Sequence, residues 1–562
     1  GPTTVGGGTL TFVFPASLYG GTIGSWTETN LIVDAGATAG FRVGGVDGFT
    51  AGDISLLASL GTGTTATGFR SGSRIGIDTT AAGLGYTLSD PLVDPDGGSR
   101  SLGLAKLGPG TLVLAAANTY TGGTFVAEGE LVVANPSALG GGPLQVDGGS
   151  LDLAGYSVST GSLTGLAGSI TNSSAGTTST LTVTVSSGTI GYGGSFADGA
   201  GAVALVKAGG GDLLLFGASS YTGGTQLDGD IRIEQATGLG VGPIVSTGPA
   251  ARIYWDGADA SVTIANPLQT GTDISLALAF VPGADRTVVL SGPISGSGQI
   301  KISAAATGTL DLTSQTAATN TNAGGVEVGT GRVLIDAGEN LGFGTVNFGT
   351  ATHSTLVVGG PAVSVANPIT LGSTSSTGPG TAIIDTAGNV LTLSGGITNR
   401  PGNDPGSLEK RGAGRLTLSA PGSYGGTTRV SAGTLDVADA AALGVSALTV
   451  AGGTLSLPQN LRFIVAAPAL DVETATGGGR LDLGSGQVSI AAGGIAAADL
   501  RADIIAGRNG GAWNGLTGIT SSAAAAAGGT RVVGYVVAGD GSAAVSFAAA
   551  GDVDLSGQVN VF

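Results

Sequence analysis

The closing stretch from Gly551 to Phe562, GDVDLSGQVNVF, holds the one spacing in the chain that suits a metal ion. Asp552, Asp554 and Ser556 stand at positions 1, 3 and 5 of a calcium-type loop, Gly557 at the tight-turn position 6 and Asn560 at position 9. Hard oxygen donors so spaced can wrap Ca2+, although the sequence stops at Phe562 before the acidic donor of position 12. The competing reading is an exposed tail, or a strand whose partner lies elsewhere.

No other residues gather into a reactive set. The single histidine, His353, excludes a multi-histidine site or a His-based triad, and the lack of cysteine removes thiolate ligands and disulfides. Asp90, Asp94 and Asp96, like Asp228 and Asp230, sit among Pro and Gly in expected turns and read as solvated. Gly-x-Ser-x-Gly-like strings carry no information in a chain with 108 glycines, and its Gly-x-Gly strings lack the βαβ setting of a nucleotide site. No catalytic residue and no cofactor-binding residue is therefore assigned. Two rows repeat instead. Tyr120, Tyr221 and Tyr424 share a register, with Asn322 in the third place, and suggest either a carbohydrate-stacking track or, more simply, local corner plugs with packed rings and hydrogen-bonded hydroxyls. Lys106, Lys207, Lys301 and Lys410 form a similar row that reads as solvated.

Both rows belong to a repeated cassette. Its first copy runs from Lys106 to Gly155, and further copies start at Lys207, Lys301 and Lys410. Leu-Gly pairs at Leu139, Leu239, Leu341 and Leu443 mark a register of about a hundred residues. Within the first copy, strand-like triplets begin at Leu112, Leu131 and Leu151, and within the fourth at Leu416, Leu435 and Leu455, a step of 19 or 20 residues. That step suits one coil of a parallel β-helix, with strands of successive coils pairing at ~4.8 Å. Side-chain alternation points Leu112 and Leu114 inward and Val113 outward, and stacks Leu131 and Leu151 above Leu112. Gly122-Gly123 and Gly148-Gly149 fit the corners. The fold class expected is all-β: an elongated right-handed parallel β-helix, or β-solenoid, of about 20 residues per coil, with a small C-terminal α+β cap or joining module.

Four regions follow. Residues 1–100 are N-terminal capping or irregular coils, 101–465 the solenoid with its four copies, 466–548 the C-terminal module, and 549–562 the calcium-loop-like tail. IANPLQTGT from Ile264 and VANPITLGS from Val365 join contiguous copies, and RPGNDPGS from Arg400 is an expected exposed loop. Residues Ala497 to Ala506 pattern as a short amphipathic helix with Leu500, Ile504 and Ile505 on one face and Trp513 against it.

Composition narrows the function. A net charge of −17, with 21 Lys and Arg spread singly, leaves no basic patch for nucleic acid. No apolar run is long enough to span a bilayer as a helix. The start GPTTVGGG lacks an initiator methionine, as after loss of a secretion signal or in a recombinant product.

The succession Lys-x-Gly-x-Gly-x-Leu-x-Leu, Asn-Thr-Tyr-Thr-Gly-Gly-Thr, a Gly-x-Leu-x-Val strand and an Ala-Leu-Gly turn resembles the autotransporter-associated β-strand repeat of bacterial surface proteins, over roughly residues 100 to 460. The C-terminal part is similar to regions attached to such repeats in large secreted proteins of planctomycete-like bacteria, where a dockerin-like calcium loop follows. The resemblance implies a secreted, extracellular or cell-surface β-helix and says nothing of activity. The leading expectation is a non-enzymatic structural protein whose solenoids join end to end, as a head-to-tail homopolymer, into a cell-surface fibre, coat or matrix. The alternative is an adhesin or glycan-binding surface protein with surface glycans as partners. A β-helix polysaccharide lyase or hydrolase is disfavoured, because the acidic residues are sparse and unclustered.

Overall fold

The computed structural model describes residues 1–61, 66–248, 251–271, 278–283, 285–303, 307–316, 318–349, 354–372, 380–402, 405–458, 464–474, 478–552 and 555. Within it the chain forms two compact units, Gly1–Ala258 with Ile264–Gly271, and Asp259–Thr263 with Thr272–Phe562. Each is a β-solenoid, in which short strands separated by tight turns wind into coils and pair in parallel with the strands of the next coil.

In the first unit one sheet runs through Thr9–Phe12, Thr38–Arg42, Ser73–Asp78, Leu102–Leu107, Thr124–Val126, Leu144–Val146 and Leu163–Thr164. A second runs through Tyr86–Leu88, Thr111–Leu114, Glu130–Val133, Ser150–Asp152, Ser169–Thr171 and Ser195–Phe196. The expected register is present: Leu112 lies opposite Leu131, and Leu131 opposite Leu151. All three are fully buried, as is Leu114, while Val113 is half-buried. The early coils are longer, with Thr3 opposite Leu31 and Ile32 opposite Gly68, and the extra chain forms three short 3-10 turns and the helix Ala51–Ala58.

The second unit repeats this construction. Its clearest ladder is Val363, Leu391, Leu416, Leu435, Leu455, Leu481 and Ile519, each opposite the next and none more than 4% exposed. Parallel pairing thus continues to Gly518–Thr520. The helix Ala497–Arg508 is inserted before that strand and rests directly on it, because Gly507 has no Cβ to strike the backbone of Ile519. Leu500, Asp503, Ile504 and Gly507 form its buried face, and Ile505, expected there, is 61% exposed. Positions three, four and seven after Leu500 share a helix face, whereas the fifth does not. Trp513 is buried near the helix end in a left-handed conformation with φ 56°. The chain then reverses: Ala543–Ala549 pairs antiparallel with Gln487–Ile490, and Arg531–Val537 pairs antiparallel with Ala543–Ala549.

Of the expected corner glycines, Gly123 has a left-handed φ of 90°. Gly149 has no left-handed φ but is closely overlaid, and a Cβ there would lie 2.7 Å from the Gly129 carbonyl oxygen.

In a solenoid, stability is carried by each coil and its contacts with the next. Leu131→Ala therefore costs ~2–5 kcal/mol at one site. Hydrogen exchange should accelerate across Thr111–Leu114, Glu130–Val133 and Ser150–Asp152 and stay unchanged in Arg531–Val537; uniform acceleration would contradict this coil-by-coil account.

Candidate functional site

The lysine row is not solvated. Lys106, Lys207 and Lys410 are fully buried. Each is the last residue but one of a strand whose alternation points it inward, after Leu104, Leu205 and Leu408. At the following corner the first carbonyl, of Leu107, Ala208 or Arg411, still accepts an N–H from the preceding coil (Thr79, Val185 or Thr386), but the next, of Gly108, Gly209 or Gly412, has no backbone donor among the described residues. Lys106 Nζ donates to the carbonyls of Leu107 (3.1 Å), Gly108 (2.6 Å) and, one coil on, Glu128 (2.9 Å). Lys410 Nζ repeats the arrangement with Arg411 (2.7 Å), Gly412 (2.8 Å) and Ala432 (3.1 Å). Lys207 Nζ donates to Ala208 (2.9 Å) and Gly209 (2.8 Å). The three protons of an ammonium group match three acceptors. The next coil lays a glycine across each amine: a Cβ at Gly129, with φ 68°, would sit 2.7 Å from Lys106 Nζ, and one at Gly433, with φ 67°, 2.8 Å from Lys410 Nζ. Lys301 differs by one residue of phase. It lies between the buried Ile300 and Ile302, points outward, and pairs with Glu327 at 2.8 Å.

The tyrosines are corner plugs. Tyr120, Tyr221 and Tyr424 are completely buried, and their hydroxyls meet Thr124 (2.6 Å), Thr225 (2.5 Å) and Thr428 (2.6 Å). This removes the surface track on which a sugar-stacking reading depended. Asn322 fills the corresponding place with its amide, donating to Gly298 O and accepting from the Gly325 N–H. The Leu-Gly marker follows from the plug. Leu139 O accepts from Thr124, and a Cβ on Gly140 would strike the Tyr120 ring at 3.0 Å. The Asn-Pro phrase closes the same turn from the next coil: Asn266 Nδ2 donates to Gly240 O and Gly242 O, and Asn367 Nδ2 to Gly342 O and Gly344 O.

Among the acidic turn residues, Asp94 overturns the solvated reading. It is 7% exposed and accepts from the N–H groups of Leu102 and Thr121 and from the Thr121 hydroxyl. Asp198 does the same for Val203 and Thr222. Both carboxylates clamp the residue after a buried tyrosine. Asp90 accepts from the Ser55 hydroxyl, Asp96 lies 3.9 Å from Arg100, and Asp230 pairs with Arg252 at 3.0 Å. Of the calcium-loop residues, Asp552 is 6% exposed, while Asp554, Ser556 and Asn560 lie outside the described residues, as does His353. Among the described residues no group of three or more His, Cys, Asp or Glu could hold a metal ion.

Burial sets the titration of these corners. It lowers Lys106 and Lys410 to about 8, against opposing pulls from Glu128, Asp78 and Glu130 on the first and Asp385 on the second. Burial raises Tyr120 and Tyr221 well above the ordinary phenol range and Tyr424 to about 12. Between pH 8 and the ordinary lysine value of 10.5 the unfolded chain holds protons that the folded chain has released, so stability rises with pH. Above the ordinary tyrosine value of 10 the unfolded chain loses protons that the folded chain keeps, and stability falls. The thermal midpoint should peak near pH 10, and Lys106→Met with Lys410→Met should flatten the rising limb. At neutral pH each substitution leaves corner carbonyls without their donor and costs ~1–3 kcal/mol in urea unfolding. A wild-type midpoint that falls steadily from pH 8 would overturn this account.

The comparisons with known proteins fall on these corners. The passenger-associated-transport-repeat model matches residues 104–133, 205–229 and 408–437, the three copies with a buried lysine. It does not match the copy at Lys301, where the lysine is one residue out of phase and Asn322 stands in the tyrosine's place. No curated protein and no solved structure matches the chain. The chain thus carries three passenger-associated-transport repeats, as an autotransporter-associated β-strand repeat protein does.

Proposed function

We propose that this chain is a non-enzymatic extracellular structural protein whose solenoids associate end to end into a surface fibre, coat or matrix. The repeats imply a secreted or surface-exposed protein, and their family is typically non-enzymatic. Among the described residues no helix is long and apolar enough to cross a membrane.

The observation that carries the proposal is the strand Arg531–Val537. Among the described residues it pairs on one side only, with Ala543–Ala549. Its sequence RVVGYVV has no charge after Arg531, and Tyr535, Val536 and Val537 are 36–39% exposed. Natural edge strands are ordinarily blunted by charge, proline or a covering loop, and an uncharged β-branched edge favours pairing with another strand. At the other chain end, Thr9–Phe12 pairs among the described residues only with Thr38–Arg42, and Leu10 and Phe14 beside it are 41% and 50% exposed. Joining unlike edges is heterologous association, which generates an open filament wherever the rotation does not close into a ring. Surface glycans are the alternative partner class; with Tyr120 and Tyr221 buried, that reading rests on exposed Thr and Asn alone.

Light scattering and electron microscopy of the purified chain should show linear, concentration-dependent oligomers. Val536→Lys should shift them at least tenfold toward monomer without changing the far-ultraviolet spectrum. Monomers alone at high concentration, or no effect of Val536→Lys, would sink the proposal. We also propose that Asp552, Asp554, Ser556 and Asn560 bind Ca2+; calorimetric titration should give heat in the wild type and none in Asp552→Ala, and equal heats would refute it.

A further inference from the structure

The helix Ala497–Arg508 and the strand Leu470–Val472 flank a cleft of about 510 Å³ lined by four carboxylates, Asp471, Glu473, Asp499 and Asp503. Glu473 is paired, with Arg429 at 3.0 Å. The other three meet no cation among the described residues. Asp471 and Asp499 are exposed, so water solvates them. Asp503 is more enclosed and opens into the cleft. It is 7% exposed, and its carboxyl has neither a hydrogen bond nor an ion pair among the described residues. Its neighbours worsen its position, since Asp471 faces it from the strand and Asp499 from one helical turn earlier. The strand Gly518–Thr520, on which the helix rests, brings no titratable side chain, and Arg501 and Arg508 of the same helix make no ion pair with it.

A largely buried carboxylate without hydrogen bonds is unfavourable and is ordinarily paired or neutralised. Burial first, and then the charges of Asp471 and Asp499, push Asp503 up to about 6. It is therefore largely ionised at neutral pH and three carboxylates converge on one opening. The accessible hydrocarbon of the walls comes from Ile495, Ala496 and Ala502, while Leu470 and Val472 alternate with Asp471 and turn inward. A bare metal ion is a poor match, because no three of these oxygen donors stand close enough to hold one. The space is that of a small organic molecule.

We propose that this cleft is a binding site for an organic cation, an alkylammonium or alkylguanidinium group whose charged head lies against Asp503, Asp471 and Asp499 and whose hydrocarbon stem lies along Ile495, Ala496 and Ala502. The site is independent of the end-to-end reading, since it involves neither Arg531–Val537 nor Thr9–Phe12. The same chemistry is offered by a free polyamine and by an arginine or lysine side chain of another protein.

Calorimetric titration of the full chain at pH 7.5 and low ionic strength distinguishes these sources. Agmatine serves as the free amine, and acetyl-arginine amide as the side chain in peptide form. Saturable binding of both supports a side-chain ligand, and binding of agmatine alone supports a free polyamine. In either case Asp503→Asn should weaken agmatine at least tenfold and Asp499→Asn a few-fold. Wild-type affinity should fall about tenfold from pH 7.5 to 5.0, as one carboxylate is protonated. Asp503→Asn is nearly isosteric and should melt no lower than the wild type at pH 7.5, which separates lost binding from lost folding. Absence of saturable heat with either probe at millimolar concentration, unchanged affinity in Asp503→Asn, or displacement of agmatine by equimolar CaCl2 would overturn the proposal.

Discussion

A stack of parallel coils satisfies its strands automatically and its corners not at all. Along Thr111–Leu114 or Glu130–Val133 each backbone group has a neighbour in the next coil, but at Gly108 or Gly412 the chain turns out of the ladder and its carbonyls face the interior. An orphaned buried carbonyl costs about as much as a lost hydrogen bond. The polar residues repeated in the cassette answer that constraint. A lysine amine serves one corner, an asparagine amide the Leu-Gly turn, and an aspartate the N–H groups beside the tyrosine.

The tyrosine corner shows how packing and polarity are met together. At a turn between strands the buried ring of Tyr120 fills the core while its hydroxyl joins the chain Thr124 to Leu139 O. The next coil can descend onto the ring only where it has no Cβ, hence Gly140 after Leu139. Sequence spacing, ring volume and backbone conformation are thereby linked across two coils.

The strand register was readable because alternation is a local property: Leu112, Leu131 and Leu151 announce their ladder without knowledge of their partners. The lysine corners were misread from residue type, although the same alternation, Leu102, Leu104, Lys106, puts the amine on the inward face, and the phase of Ile300, Lys301, Ile302 puts its counterpart outside. Asp94 was beyond local reading, since its partner Thr121 is brought to it only by a full coil of chain. Ile505 was assigned to the buried helix face on hydrophobicity, whereas geometry reserves that face for Leu500, Asp503, Ile504 and Gly507. The unpaired carboxyl of Asp503 likewise becomes visible only once the helix is laid over the strand Leu470–Val472.

The glycine laid over each buried amine has an evolutionary corollary. Lys106 and Gly129, like Lys410 and Gly433, form a lock whose two halves sit in successive coils, so no cassette needs a partner farther away than its immediate neighbour. Recombination that duplicates or deletes a whole cassette keeps every remaining lock intact, whereas a cut between the halves strands an ammonium ion in the core. The length of such a chain can change by whole coils, provided that no cut falls between the halves of a lock.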